Sequence, residues 1–166
     1  MNLNWLIIPL AAIIPLIVGA IWYNPKVFGT SWMKATGLTE EQMKGSNMAV
    51  IFGATYFYSL LIAMFMMVIV IHQFHVYSVL ANEAGINDPT TEVGAYFKNF
   101  MDKYGSNFRT FKHGAFHGTM MGIFLTLPVL GINALFERKS FKYVLIHTGF
   151  WIVSFALMGG IVCRYV

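Results

Sequence analysis

A chain of 166 residues in which 57% are hydrophobic and only 11% are charged departs far from the roughly 25% charge of a soluble domain. A core of this length cannot hide so much apolar surface from water, so the composition reads as an integral membrane protein and excludes disorder. The net charge of +4 comes from 11 basic and 7 acidic residues with no basic run. That distribution suits a membrane surface and excludes nucleic-acid binding as the main design. Cys163 is the single cysteine, so there is no intrachain disulfide, no CxxC and no zinc-ribbon spacing.

A bilayer core of roughly 30 Å takes about 20 helical residues to cross. Four segments have that length: residues 3–23, 48 to the mid-70s, 113–136 and 141–163. The first three contain no Asp, Glu, Lys or Arg, and the fourth only Lys142. The first lacks a basic leader and a small-residue cleavage site, which reads as a retained span rather than a signal peptide. Pro9 and Pro15 should bend it, because each removes a backbone donor and crowds the preceding turn.

Loop one, residues 24–47, carries its own signals. Asn24–Pro25 reads as a turn, and Trp32 and Met33 mark a short interfacial helix stopped by Gly37. Thr39 and Gln42 have capping-box spacing, and Ser46 or Asn47 caps the second span. Loop two, residues 79–112, places Asp88 as an N-cap with Pro89 at the first helical position. Beyond it Tyr96, Phe97, Phe100, Met101, Tyr104 and Phe108 fall within about 140° of one helical face, opposite Lys98, Asn99, Asp102 and Lys103. That pattern fits an amphipathic helix in the headgroup layer, or one packed over the mouth of the bundle. Loop three, residues 137–140, is short enough to force a hairpin. The expected architecture is one all-α membrane domain over residues 1–166, a four-span antiparallel bundle with an interfacial helix in loop two.

Four spans put the termini and loop two on one side, with five positive residues, and loops one and three on the other, with six. The close spacing of the six positives to span ends in short loops favours loops one and three as cytoplasmic.

Three stretches carry a family likeness: GAIWYNPKVFGTSWMKATGLTEEQM (residues 19–43), HGAFHGTMMGIFLTLPVLGINALFERKS (113–140) and IHTGFWIVSFALMGGI (146–161). With its WY-x-P-x-x-FG-x-x-W pattern, the chain resembles the bacterial membrane family known as domain of unknown function 1761. The resemblance implies a small four-span protein, which belongs in a bacterial inner membrane. It brings no activity, cofactor or catalytic residue with it.

Histidines in or beside spans are functional candidates by default. His72 and His75 close the second span at i, i+3, and His113 and His117 open the third at i, i+4. All four lie toward the loop-two face, and His113 and His117 share a helical face with Met120 and Met121. By depth, His72 or His75 should come near His113 or His117. Imidazole with thioether favours copper, and two facing imidazoles would suit a haem. No carboxylate joins by spacing, which argues against a di-iron site. The competing reading is ordinary interfacial packing in a chain with 11 Met. Gly114, Gly118 and Gly122 repeat every fourth residue, the small-residue stripe that lets membrane helices approach, here expected within the chain. Asn133 and His147 stand about equally far from loop three and are expected to bond across the hairpin.

No nucleophile elbow, P-loop, HExxH or GxGxxG occurs. Buried acidic or basic residues that mark an ion pathway are missing, as is an internal repeat, so a transporter has little support. Two functions remain. The first is a non-enzymatic membrane protein acting through helix packing, as a homo-oligomer subunit or partner. The second is a copper- or haem-binding protein using the four histidines.

Overall fold

A computed structural model describes residues 3–166, and these residues form helices and turns with no strand among them. The N-terminal apolar segment is two helices, α1 (Ile7–Ala11) and α2 (Ile14–Trp22). The break falls just before Pro15, whose ring crowds the carbonyl four residues back, at Ala11. Ile13 N–H turns to the Leu10 carbonyl at 3.2 Å, and the freed Pro9 carbonyl accepts the Tyr56 hydroxyl at 3.3 Å.

Asn24 then caps a π-helical turn, Pro25–Gly29, through its side chain and the Lys26 amide. A Cβ on Gly29 would collide with the Tyr23 carbonyl oxygen, so the tight turn requires glycine. Helix α3 (Thr30–Thr36) stops at Gly37, which sits at φ +79°, the left-handed conformation that glycine adopts without cost. Thr39 and Gln42 form the expected capping box on α4 (Glu40–Lys44), and Asn47 caps α5 (Met48–Val70) by accepting from Val50 N–H.

Two boundaries differ from the sequence reading. The second apolar segment ends at Val70 rather than in the mid-70s: Ile71 is extended, and His72 caps a separate helix α6 (Gln73–Leu80). Twenty-three residues already measure about 34 Å, enough to cross. The next helix, α7 (Glu92–Tyr104), is capped by Thr91, not Asp88. Asp88 instead accepts from the Thr90 hydroxyl and amide, bonds that hold its carboxyl below the ordinary value. Helix α7 packs on α6 through Phe97 against Tyr77 and contributes nothing to the main core. Its Tyr96 and Tyr104 remain exposed.

The third segment is one run of helix interrupted in the middle: α8 (Phe111–Met121), a π-helical turn (Gly122–Thr126) and α9 (Leu127–Phe136). The π turn immediately precedes Pro128, which has no N–H for the Phe124 carbonyl. The last helix, α10 (Phe141–Tyr165), starts at a Ser140 cap. Among the described residues three helical runs are long and apolar enough to cross a membrane: Met48–Val70, Phe111–Phe136 and Phe141–Tyr165. A fourth is reached if Ile7–Trp22 and Pro25–Thr36, bent by 56°, form one broken span.

Helix α10 is the hub. Its Phe150, Phe155, Met158 and Val162 join Ile8, Ile14 and Val18 of α1 and α2 and Met66 and Val70 of α5 in the buried core. Large apolar side chains such as Phe65, Phe124 and Phe136 point outward instead, the arrangement a hydrocarbon solvent favours. Helix α8 meets α10 through glycine. A Cβ on Gly114 would strike the Gly159 carbonyl oxygen, one on Gly118 that of Phe155, and one on Gly122 the Ile152 side chain. The stripe expected from the sequence therefore faces α10 within the same chain. Gly118→Leu should force the two backbones apart and cost about 3 kcal/mol or more. Unchanged thermal melting of that variant in detergent would contradict the seam.

Candidate metal centre

The α8–α10 seam fixes the start of α8, where Thr110 caps the helix by accepting from His113 N–H. His113 and His117 follow one turn apart on a face turned away from α10. His72 reaches them from the break after α5. Its ring centroid lies 4.9 Å from that of His113 and 5.0 Å from that of His117, and those two are 4.5 Å apart. One ring nitrogen from each of the three falls within 4.8 Å of the others. A tetrahedral ion with bonds of roughly 2.0–2.1 Å sets its nitrogens about 3.3 Å apart, so modest rotations of the half-buried rings are enough to close a coordination shell.

The Nε2 atoms of His72 and His113 lie 2.8 Å apart. One must then donate and the other accept, which excludes two imidazoliums facing each other. The bond leaves His117 as the third corner of a nitrogen-lined site. His75 stays outside: its ring is 6.0 Å from that of His72, and it is exposed. The structure thus brings together three of the four histidines. His72 and His75 lie on the same side of the break and keep their i, i+3 relation, with His75 N–H donating to the His72 carbonyl at 3.0 Å. Of the two it is the His72 ring that stands beside those of His113 and His117. Met120 is exposed on α8 and Met67 is buried in the core.

Phe108, assigned by its periodicity to the aromatic face of α7, lies beyond that helix and forms a wall of the site. Its ring is 5.0 Å from that of His113 and 6.3 Å from that of His72. At φ +63° it holds a left-handed conformation that is uncommon for an aromatic residue. Gly105–Ser106–Asn107, directly after the periodic stretch, was the available signal that α7 ends first. Three bonds hold this loop against the spans. Gln73 Nε2 donates to the Asn107 carbonyl at 3.0 Å, and Arg109 Nε donates to that of Cys163 at 2.9 Å. The Cys163 sulfur lies 3.3 Å from the carbonyl oxygens of both Val70 and Phe108. Burial holds the Arg109 guanidinium below its ordinary pKa, although arginine keeps its charge at neutral pH.

The Asn133–His147 pair does not form. His147 Nδ1 is bonded to the Tyr23 hydroxyl at 3.1 Å, and Asn133 is exposed on α9. The π turn in the third segment explains the miss, since it rotates α9 relative to a straight helix and swings Asn133 off the facing side. Tyr23 takes its place because Trp22 Nε1 donates to the Ile146 carbonyl at 3.1 Å and fixes the end of α2 beside α10.

An all-helical chain with three or four membrane-length helices and a histidine triad at one end is, by class, a small helical protein of membrane character. Residues 6–163 match the family model described as protein of unknown function (DUF1761). The match covers nearly the whole chain, and the chain belongs to that family. No curated protein and no solved structure matches it.

Tyr23→Phe should cost about 1 kcal/mol by removing a hydrogen bond inside the bundle, whereas Asn133→Ala should stay within about 0.5 kcal/mol. Chemical denaturation in mixed micelles measures both. The reverse order would restore the original hairpin pair.

Proposed function

We propose that the chain is a four-span antiparallel membrane protein that binds a late first-row transition-metal ion at His72, His113 and His117. The convergence of three imidazoles from two separate chain segments carries this reading. Its setting is a bacterial inner membrane, with loops one and three cytoplasmic, α7 in the headgroup layer and the triad opening on the far side. Hydrogen bonds at the two ends support the topology. Asn4 N–H donates to the Val166 carbonyl at one end, and Lys139 Nζ donates to the Thr36 carbonyl at the other.

The donor set selects the ion. Nitrogen ligands with no carboxylate among them suit Cu(II) or Zn(II) and disfavour Mg(II) and Ca(II). A haem has less support. Two axial imidazoles would stand about 4 Å apart across the macrocycle, twice a bond of roughly 2 Å, whereas the facing Nε2 atoms are 2.8 Å apart. Three protein ligands leave a coordination position for water or an incoming donor, and the half-buried rings at the end of the spans favour exchange with the aqueous side. The function is metal acquisition or transfer without catalysis. The Gly114–Gly118–Gly122 stripe is occupied by α10 and offers no free packing face to a partner.

Chelator-treated protein in detergent should take up one Cu(II) or Zn(II) per chain by calorimetric titration. Replacing His72, His113 or His117 with Ala should weaken binding by about a hundredfold or more, and His75→Ala by less than about threefold. At a free ion concentration of 100 Kd the melting point should rise in step with about 2.7 kcal/mol of added stability, lost again on chelation. Equal affinity in the native protein and the triple alanine variant would overturn the assignment.

A further inference from the structure

The opposite end of α10 holds a second constellation. His147 and Cys163 are 16 residues, about 24 Å, apart along the helix, and beside His147 the segment from Tyr23 to Lys44 folds around a cleft of ≈ 430 Å³. That volume lies within the roughly 300–1,000 Å³ of small-ligand sites. Tyr23 and Trp32 line it, packed edge to face with ring centroids 5.4 Å apart and planes at 61°, an aromatic corner. Met33 and Met43 add polarizable surface, and Glu40 and Lys44 stand on the rim.

Glu40 and Lys44 are four residues apart on α4, the spacing and order at which such residues pair on a helix. They do not pair here: among the described residues the one ion pair is Lys98–Asp102. The cleft therefore presents one free charge of each sign beside an aromatic corner. Its α2–α3 side is also held in shape. The Tyr23 hydroxyl is fixed by His147, and Lys139 Nζ holds the end of α3 through the Thr36 carbonyl.

Aromatic faces with a carboxylate complement an organic ammonium group, and a lysine complements a phosphate. We infer that this cleft binds the headgroup of a zwitterionic phospholipid, with its ammonium against Tyr23, Trp32 and Glu40 and its phosphodiester at Lys44. Location favours a lipid over a free solute. The cleft lies directly after α2, where the apolar chain gives way to polar residues, and the exposed Val27 and Phe28 beside it offer apolar surface to acyl chains. The inference rests on the membrane reading and is independent of the metal centre.

The test is calorimetric titration of the detergent-purified full chain with dihexanoyl-phosphatidylethanolamine below its micelle concentration. Saturable binding of one lipid per chain is expected. Glu40→Gln and Trp32→Ala should each weaken it roughly tenfold, and Lys44→Gln roughly threefold. Dihexanoyl-phosphatidylglycerol keeps the phosphodiester but lacks the ammonium, and should bind at least about tenfold more weakly. Phosphoethanolamine without acyl chains should be weaker by a similar factor, and equal binding would replace the lipid by a free zwitterion. Glu40 and Lys44 are exposed on α4 and touch no core residue, so their variants keep the fold and isolate the charge. Equal affinity for the two lipids, or unchanged binding in Glu40→Gln, overturns the inference. Flotation of the chain with phosphatidylglycerol vesicles checks membrane association separately.

Discussion

The close approach of α8 to α10 through Gly114, Gly118 and Gly122 is the constraint on which the rest of the structure depends. Lipid tails are as apolar as leucine, so helices in a bilayer gain little by burying apolar surface against each other and depend on close van der Waals packing. Here the packing is backbone on backbone at Gly114 and Gly118 and backbone on the Ile152 residue at Gly122, with no room for a Cβ at any of the three positions. The seam fixes both the rotation and the height of α8, and with them the direction in which His113 and His117 point. The glycine face and the histidine face of α8 lie about a quarter turn apart, so one helix serves α10 and the triad together.

The second half of the site depends on a discontinuity. Helix α5 ends at Val70, and the backbone carbonyl left there lies 3.3 Å from the Cys163 sulfur of α10. His72, just past the break, is thereby tied to the same hub that positions α8. Phe108 and Arg109, on the far side of loop two, bond or pack against the same few residues. The three imidazoles converge because three chain segments are fastened to the C-terminal end of one helix.

Much of the fold was legible where a local rule decides locally. The Thr39–Gln42 capping box, the stop at Gly37, the Asn47 cap and the glycine stripe each depend on a few residues and their own backbone. Most of the misses have a different cause. The end of α5 and the π turns at Pro25–Gly29 and Gly122–Thr126 are set by partners distant in sequence or by non-α hydrogen bonding, to which a 3.6-residue period is blind. The Thr91 cap, by contrast, is local, its hydroxyl bonding only Gly85, Asp88 and Gly94, and was masked by the equally good cap signal of Asp88–Pro89. The candidate site was accordingly read in part. Depth brought His72 or His75 toward His113 or His117, and the structure sets His72, not His75, beside both rings. Phe108 was placed on the wrong element, and Asn133 was swung away from His147 by the π turn.

X-ray absorption at the zinc edge of the zinc-loaded protein addresses the convergence of His72, His113 and His117 on one ion most directly. Three imidazole nitrogens at about 2.0–2.1 Å, with the multiple-scattering pattern of rings bound to the same zinc, are the result this account predicts. A shell made of oxygen, or one containing a single imidazole, would contradict it.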